Sequence, residues 1–184
     1  MKSDALCFLA FVLPEIPASE IRGFQQYAAE HFDSQRALCS PPHITLVAPF
    51  QVQSEQIPAL SGTLENFCAQ VVPVNITLDG FSAFGERVIF VNVVRDPALE
   101  AIAGNLQKHL RASGFSVRTE SGPFHPHVTV AFKDLRREMF GKAYAFFQQI
   151  PCEVTWTANA LTLLRHRHGR WQADQTFACG RHIV

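Results

Sequence analysis

The sequence predicts a mixed fold of strands and helices, built as two facing lobes within a single domain spanning residues 1–184. Three observations predict it. Short β-branched runs alternate with amphipathic stretches along the chain. The order of elements then restarts, so that the approximate repeats 5–80 and 87–165 place equivalent elements about 80 residues apart. No Gly/Ser- or Pro-rich linker separates the repeats, which favours one compact domain over two. The period is longer than that of solenoid repeats, so the copies should face each other and not stack.

Each element follows from pattern and punctuation. Residues 5–13 (ALCFLAFVL) form a nine-residue apolar run, too short to span a membrane. Asp4 stands where a signal peptide would be basic, and Glu15 follows soon after, so a buried first strand is expected. After Pro14 and Pro17, residues 18–31 are predicted helical with Ser19 as N-cap. Residues 43–48 read as a proline-bounded strand, 54–70 as a helix despite Pro58 and Gly62, and 72–79 as an alternating strand. In the second copy, 87–94 is a β-branched strand. Residues 96–113 are the clearest helix, with Asp96 as cap, Pro97 in first position and Gly114 past the end. Residues 127–133 read as a strand, 134–149 as a helix, 152–165 as one or two extended segments, and 166–178 as a turn and last strand closing a hairpin.

Composition narrows the partners. With 47% hydrophobic and 17% charged residues the chain is globular. Sixteen basic and sixteen acidic residues give zero net charge, which argues against a grip on long duplexes and leaves nucleic-acid contact local. Five cysteines (7, 39, 68, 152, 179), widely spaced and without C-x-x-C, suit reduced, mostly buried thiols of a cytoplasmic protein better than a disulfide frame or zinc site. No other segment approaches a membrane span, and a monomer is expected.

One stretch raises a functional question. PPHITLVAPF (41–50) puts His43 and Thr45 on one face of an otherwise apolar strand, with Ile44 and Leu46 on the other. Quiet packing would explain a single such pair. The repeat, however, sets PFHPHVTVAF (123–132) opposite it, so that PHITL is echoed by PHVTV. Bare H-x-[ST] should occur roughly 0.8 times by chance in this composition; adding the proline and the flanking aliphatics lowers that to roughly 10⁻³.

The paired motifs resemble the 2H phosphoesterase superfamily, in particular its 2′-5′ RNA ligase branch, described as RNA 2′,3′-cyclic phosphodiesterases. The resemblance extends to the opening strand and helix, the segment ITLDGFSAFGERVIFVNV and the C-terminal LTLLRHRHGRW. It implies an α+β fold of two pseudo-symmetric lobes, each an antiparallel sheet with outer helices, around a central cleft lined by the two H-x-T strands. It implies metal-independent hydrolysis of 2′,3′-cyclic phosphate RNA ends to 2′-phosphates, without a cofactor and reversible as 2′-5′ RNA ligation. By the same resemblance His43 and His127 are catalytic, and Thr45 and Thr129 bind the phosphate. Many members carry Arg shortly after the second motif; here Phe132 stands there, with Lys133 next. By alternation His127, Thr129, Ala131 and Lys133 share a face, which makes Lys133 a candidate for that contact.

Two imidazoles fit this chemistry. In-line attack at phosphorus needs a proton removed on one side and supplied on the other, and histidine titrates near neutrality. Threonine hydroxyls can donate to the non-bridging oxygens. Other residues have two readings. His125 is a substrate contact or a surface histidine; His43, His125 and His127 lack the carboxylate or thiolate support of a zinc site, so no metal is expected. Arg165 and Arg167, in the cluster RHRHGR, are a phosphate-steering rim or a solvated turn. Phe81, Phe84 and Phe124 are core or base-stacking rings, and Phe84 is a candidate substrate contact. The alternatives are a phosphodiesterase for a small nucleotide, such as ADP-ribose cyclic phosphate or 2′-5′ oligoadenylate, and a non-catalytic binder of RNA ends or nucleotides.

Overall fold

A computed structural model describes residues 4–118 and 122–180; the remainder of the span 1–184 lies outside the described residues. The order is β1 (Asp4–Val12), α1 (Glu15–Phe32), β2 (His43–Gln53), α2 (Ile57–Ala69), β3 (Val74–Phe84), β4 (Val88–Val93), α3 (Pro97–Ala112), β5 (His127–Phe132), α4 (Arg137–Phe147), β6 (Glu153–Ala158), β7 (Ala160–Arg167) and β8 (Arg170–Ala178). Short 3₁₀ turns at Arg36–Cys39 and Ser54–Gln56 precede β2 and α2. The strands form two four-stranded antiparallel sheets, ordered β2-β1-β7-β8 and β5-β4-β3-β6, so the α+β class expected from the sequence holds.

The sheets do not divide the chain at the middle. β3, the last strand of the first repeat, pairs with β4 and β6. The C-terminal hairpin β7–β8 returns to the free edge of β1. The second sheet is therefore continuous in sequence and the first is assembled from both chain ends. Antiparallel strands joined by a short turn pair with each other, as β3 and β4 do. The extended segment 152–165 splits at Asn159, whose carbonyl accepts from Cys179 N at 2.7 Å, and its two strands enter different sheets.

Several boundaries differ from those expected. α1 starts at Glu15, with Pro14 and not Ser19 at the N-cap, because Pro17 sits in the first turn, where its missing N–H costs nothing. β2 continues past Pro49 to Gln53, which an edge strand permits. α4 begins only at Arg137, because Asp134 is engaged elsewhere. Asp96 does cap α3, its Oδ1 accepting from Ala98 N at 2.7 Å and Leu99 N at 3.1 Å. All five cysteines are free, and among the described residues no helix is long and apolar enough to cross a membrane.

The lobes meet along β2 and β5, each the outermost strand of its sheet. Outermost strands leave backbone groups unpaired. Two glutamines cover carbonyls there, each from the helix of the opposite repeat. Gln25 Nε2 of α1 donates to Thr129 O at 2.9 Å, and Gln107 Nε2 of α3 donates to Leu46 O at 3.2 Å. These bonds lock the cleft walls together.

Candidate active site

In β2, Ile44 and Leu46 are buried while His43 and Thr45 are half-buried and face the cleft; in β5, Val128 and Val130 are buried while His127 and Thr129 face it. Directly after each threonine the ladder slips by one residue. Ala10 and Leu9 pair with Thr45 and Val47, and Phe90 and Ile89 pair with Thr129 and Ala131. Such an extra residue bends the strand and ends strict alternation. It corrects one expectation: Ala131 is fully buried and does not share the face of His127 and Thr129. Lys133 reaches the cleft by another route, a left-handed backbone conformation at φ 61° just past the end of β5.

His43, Thr45, His127, Thr129 and Lys133 line one cavity of about 510 Å³, within the range of small-ligand sites. The wall also carries Phe8, Gln25, Arg36, His166 and Trp171, and it includes no Asp or Glu. Neither motif threonine hydroxyl has a hydrogen-bond partner among the described residues.

The two imidazoles are held alike. His43 Nδ1 lies 2.7 Å from Pro41 O, and His127 Nδ1 lies 2.8 Å from His125 O. A carbonyl only accepts, so each Nδ1 carries the hydrogen, and in the neutral ring Nε2 keeps its lone pair for a ligand. Each ring also rests against an aromatic from the neighbouring strand, Phe8 at 4.8 Å from His43 and Phe90 at 5.1 Å from His127. Phe84 adds an edge-on contact to His127 at 5.0 Å. Burial among these rings pushes the His43 pKa down to about 4, against the opposing pull of the Pro41 bond, with the charge of His127 lowering it further. Burial lowers His127 as well, opposed by its bond to His125 O, with the charge of His125 lowering it further.

The other candidates differ in how near they come to this centre. His125 is exposed, precedes the start of β5, and lines an adjoining recess with Phe84 and Phe124 that shares Thr45 and His127 with the cavity. Phe84 is 38% exposed, packed on Phe90 and on both His125 and His127. Phe81 packs on Phe24 and Phe147. Arg165 and Arg167 both reach Asp174, at 3.5 and 2.6 Å, and neither lines the cavity. From that hairpin it is His166, Gly169 and Trp171 that do. The tight turn itself needs positive φ at His168 (51°) and Gly169 (77°), which matches a two-residue hairpin loop. Among the described residues no group of three or more His, Cys, Asp or Glu side chains gathers as metal ligands would.

Phe8, Gln25, Arg36 and Trp171 escape a reading of the motifs alone. The repeat does hold a signal for one of them: Gln25 and Gln107 stand at corresponding places in the helices of the two copies. Nothing in the sequence marks Arg36 or Trp171, since both reach the cavity only through tertiary packing.

Comparison with known proteins agrees with this layout. A family model described as the 2′-5′ RNA ligase superfamily matches residues 13–170. The Geobacillus kaustophilus protein named "Putative phosphoesterase GK0864" is 29% identical over 167 residues, covering 89% of this chain and 92% of that protein. Crystal structures of Escherichia coli LigT superpose over nearly the whole chain. The complex with 3′-AMP has a TM-score of 0.67 at 20% identity, covering 96% of this chain and 99% of that one. The complex with NADP+ has a TM-score of 0.65 at 22% identity, covering 97% and 99%. With most of its length matched by the family model and both H-x-T strands on one cavity, the chain belongs to the 2′-5′ RNA ligase superfamily of two-histidine phosphoesterases.

Proposed function

We propose that the protein is a metal-independent phosphodiesterase that opens 2′,3′-cyclic phosphate ends of RNA to 2′-phosphates, using His43 and His127 as the acid–base pair. One observation carries this reading: two histidines on one cavity, each with Nδ1 committed to the backbone and Nε2 left for a ligand. One Nε2 takes a proton from water as its oxygen bonds to phosphorus. The other, protonated, delivers its proton to the ribose 3′-oxygen as the P–O3′ bond breaks. Thr45 and Thr129 donate to the non-bridging oxygens, where charge grows. The reverse direction is 2′-5′ RNA ligation.

A second reading, a phosphodiesterase for a small nucleotide, draws on the cavity volume and on the mononucleotide and dinucleotide ligands named in the two LigT complexes. Both are tested by assaying a cyclic-ended oligonucleotide and 2′,3′-cAMP in EDTA. Turnover of the oligonucleotide that falls by about 10²–10⁴-fold in His43→Ala and in His127→Ala supports the first reading. Turnover of the mononucleotide alone supports the second. Near-wild-type turnover in either variant refutes the mechanism, inhibition by EDTA points to a metal, and binding without turnover marks a non-catalytic binder.

A further inference from the structure

We propose that Arg36 and Lys133 form a second phosphate subsite in the cavity, which takes the 5′-phosphate of the nucleotide whose cyclic phosphate lies between the histidines. This rests on the phosphodiesterase reading of that cavity.

The charge layout is the first ground. On a chain with no net charge, this wall carries two cations and no carboxylate. Five arginines elsewhere are ion-paired: Arg165 and Arg167 with Asp174, Arg136 with Asp33, Arg137 with Glu86 and Arg95 with Glu100. The Arg36 guanidinium has no partner among the described residues, and Lys133 has no acidic one. Two unpaired cations on a concave wall attract anions more strongly than the same charges on a convex surface.

Position is the second. Lys133 Nζ rests 5.4 Å from the centroid of the Phe132 ring. Phe132 lies three residues beyond Thr129, about 10 Å of strand at ~3.3 Å per residue. In the phosphodiesterase reading the threonine pair and the two imidazoles take one phosphate, so Lys133 sits displaced along the same cavity wall that Arg36 lines, where a second anionic group of the same substrate would fall.

Construction is the third. Asp134 holds both cations in place. Its carboxylate accepts from Ser34 Oγ at 3.0 Å, Gln35 N at 2.8 Å and Arg36 N at 2.9 Å. Those bonds anchor the 3₁₀ turn that carries Arg36 to the residue after Lys133. They also spend the carboxylate on amides and a hydroxyl, so it forms no ion pair with either cation. A left-handed lysine is strained, and persists only where surrounding bonds over-determine it.

A 5′-phosphate is present in a mononucleotide as a monoester and in an RNA end as a diester to the preceding nucleotide. Calorimetry with 2′-AMP, adenosine 2′,5′-bisphosphate and a 2′-phosphorylated ApA dinucleotide separates these sources. The wild type should bind the bisphosphate at least about tenfold tighter than 2′-AMP, and this ratio should drop towards one in Arg36→Ala, in Arg36→Gln and in Lys133→Ala. Dinucleotide binding as tight as the bisphosphate identifies an RNA end, and markedly weaker binding a small nucleotide. A wild-type ratio near one overturns the subsite. So does equal weakening of 2′-AMP and bisphosphate in both Arg36 variants. Turnover of 2′,3′-cAMP, followed separately, reports on the phosphodiesterase reading, so a retained binding ratio without turnover would sink that reading and leave the subsite standing.

Discussion

Replacing His43 with asparagine should remove most of one acid-sensitive component of stability. The asparagine side chain keeps an amide N–H near the place of Nδ1, able to donate to Pro41 O, and does not titrate. In the folded wild type, burial against Phe8 holds the His43 pKa down at about 4, whereas an exposed histidine titrates near 6.5. Between those values the unfolded chain binds a proton that the folded one refuses, so stability rises with pH. The contribution is fully present above pH 6.5 and is lost as pH falls towards 4. The difference of about 2.5 pH units corresponds to about 3 kcal/mol in total at 1.36 kcal/mol per unit, of which roughly 2 kcal/mol falls between pH 7.5 and 5. Urea unfolding of both proteins at pH 7.5 and 5.0 measures it. The wild type should lose about 2 kcal/mol more than His43→Asn over that interval. Equal losses would show that the folded state does not exclude the proton from His43, and would refute its desolvation by the surrounding rings.

Two further outcomes follow from the same geometry. Because burial lowers the pKa of both His43 and His127, the free enzyme holds one neutral and one protonated ring only on the acid side of the ordinary histidine range; kcat/KM should peak below pH 6.5, and a maximum above pH 7 would contradict the assignment of the pair. Asp134→Ala removes the acceptor of three bonds that tie the 3₁₀ turn to the end of β5, and should lower stability by about 2 kcal/mol in denaturant unfolding, with Asp134→Asn in between; an unchanged midpoint would mean that the tie carries no load.

Much of this site was legible before folding because period-two alternation is a local property. His43 and Thr45 share a face, with Ile44 and Leu46 behind them, by strand geometry alone. The second copy at His127 and Thr129 turned an ambiguous pair into a matched one. Local chemistry equally marked Asp96 and Pro97 as a helix start. Alternation misled at Ala131 for a local reason too: an extra residue in one strand leaves no mark in the sequence, and it reverses every side chain beyond it.

The sequence by itself determined the element types, the internal duplication and the four motif residues, since periodicity, capping and repetition each act over a few neighbours or a fixed offset. Tertiary structure decided which strands share a sheet, sending β3 to the second lobe and β7–β8 back to the first. It also decided that Arg165 and Arg167 spend their charge on Asp174, while Arg36 and Lys133 keep theirs on the cavity wall. Arg36 and Asp134 are 98 residues apart. Pairing between such distant groups depends on how whole lobes pack, and a charge becomes a binding site or a silent ion pair only once that packing is set.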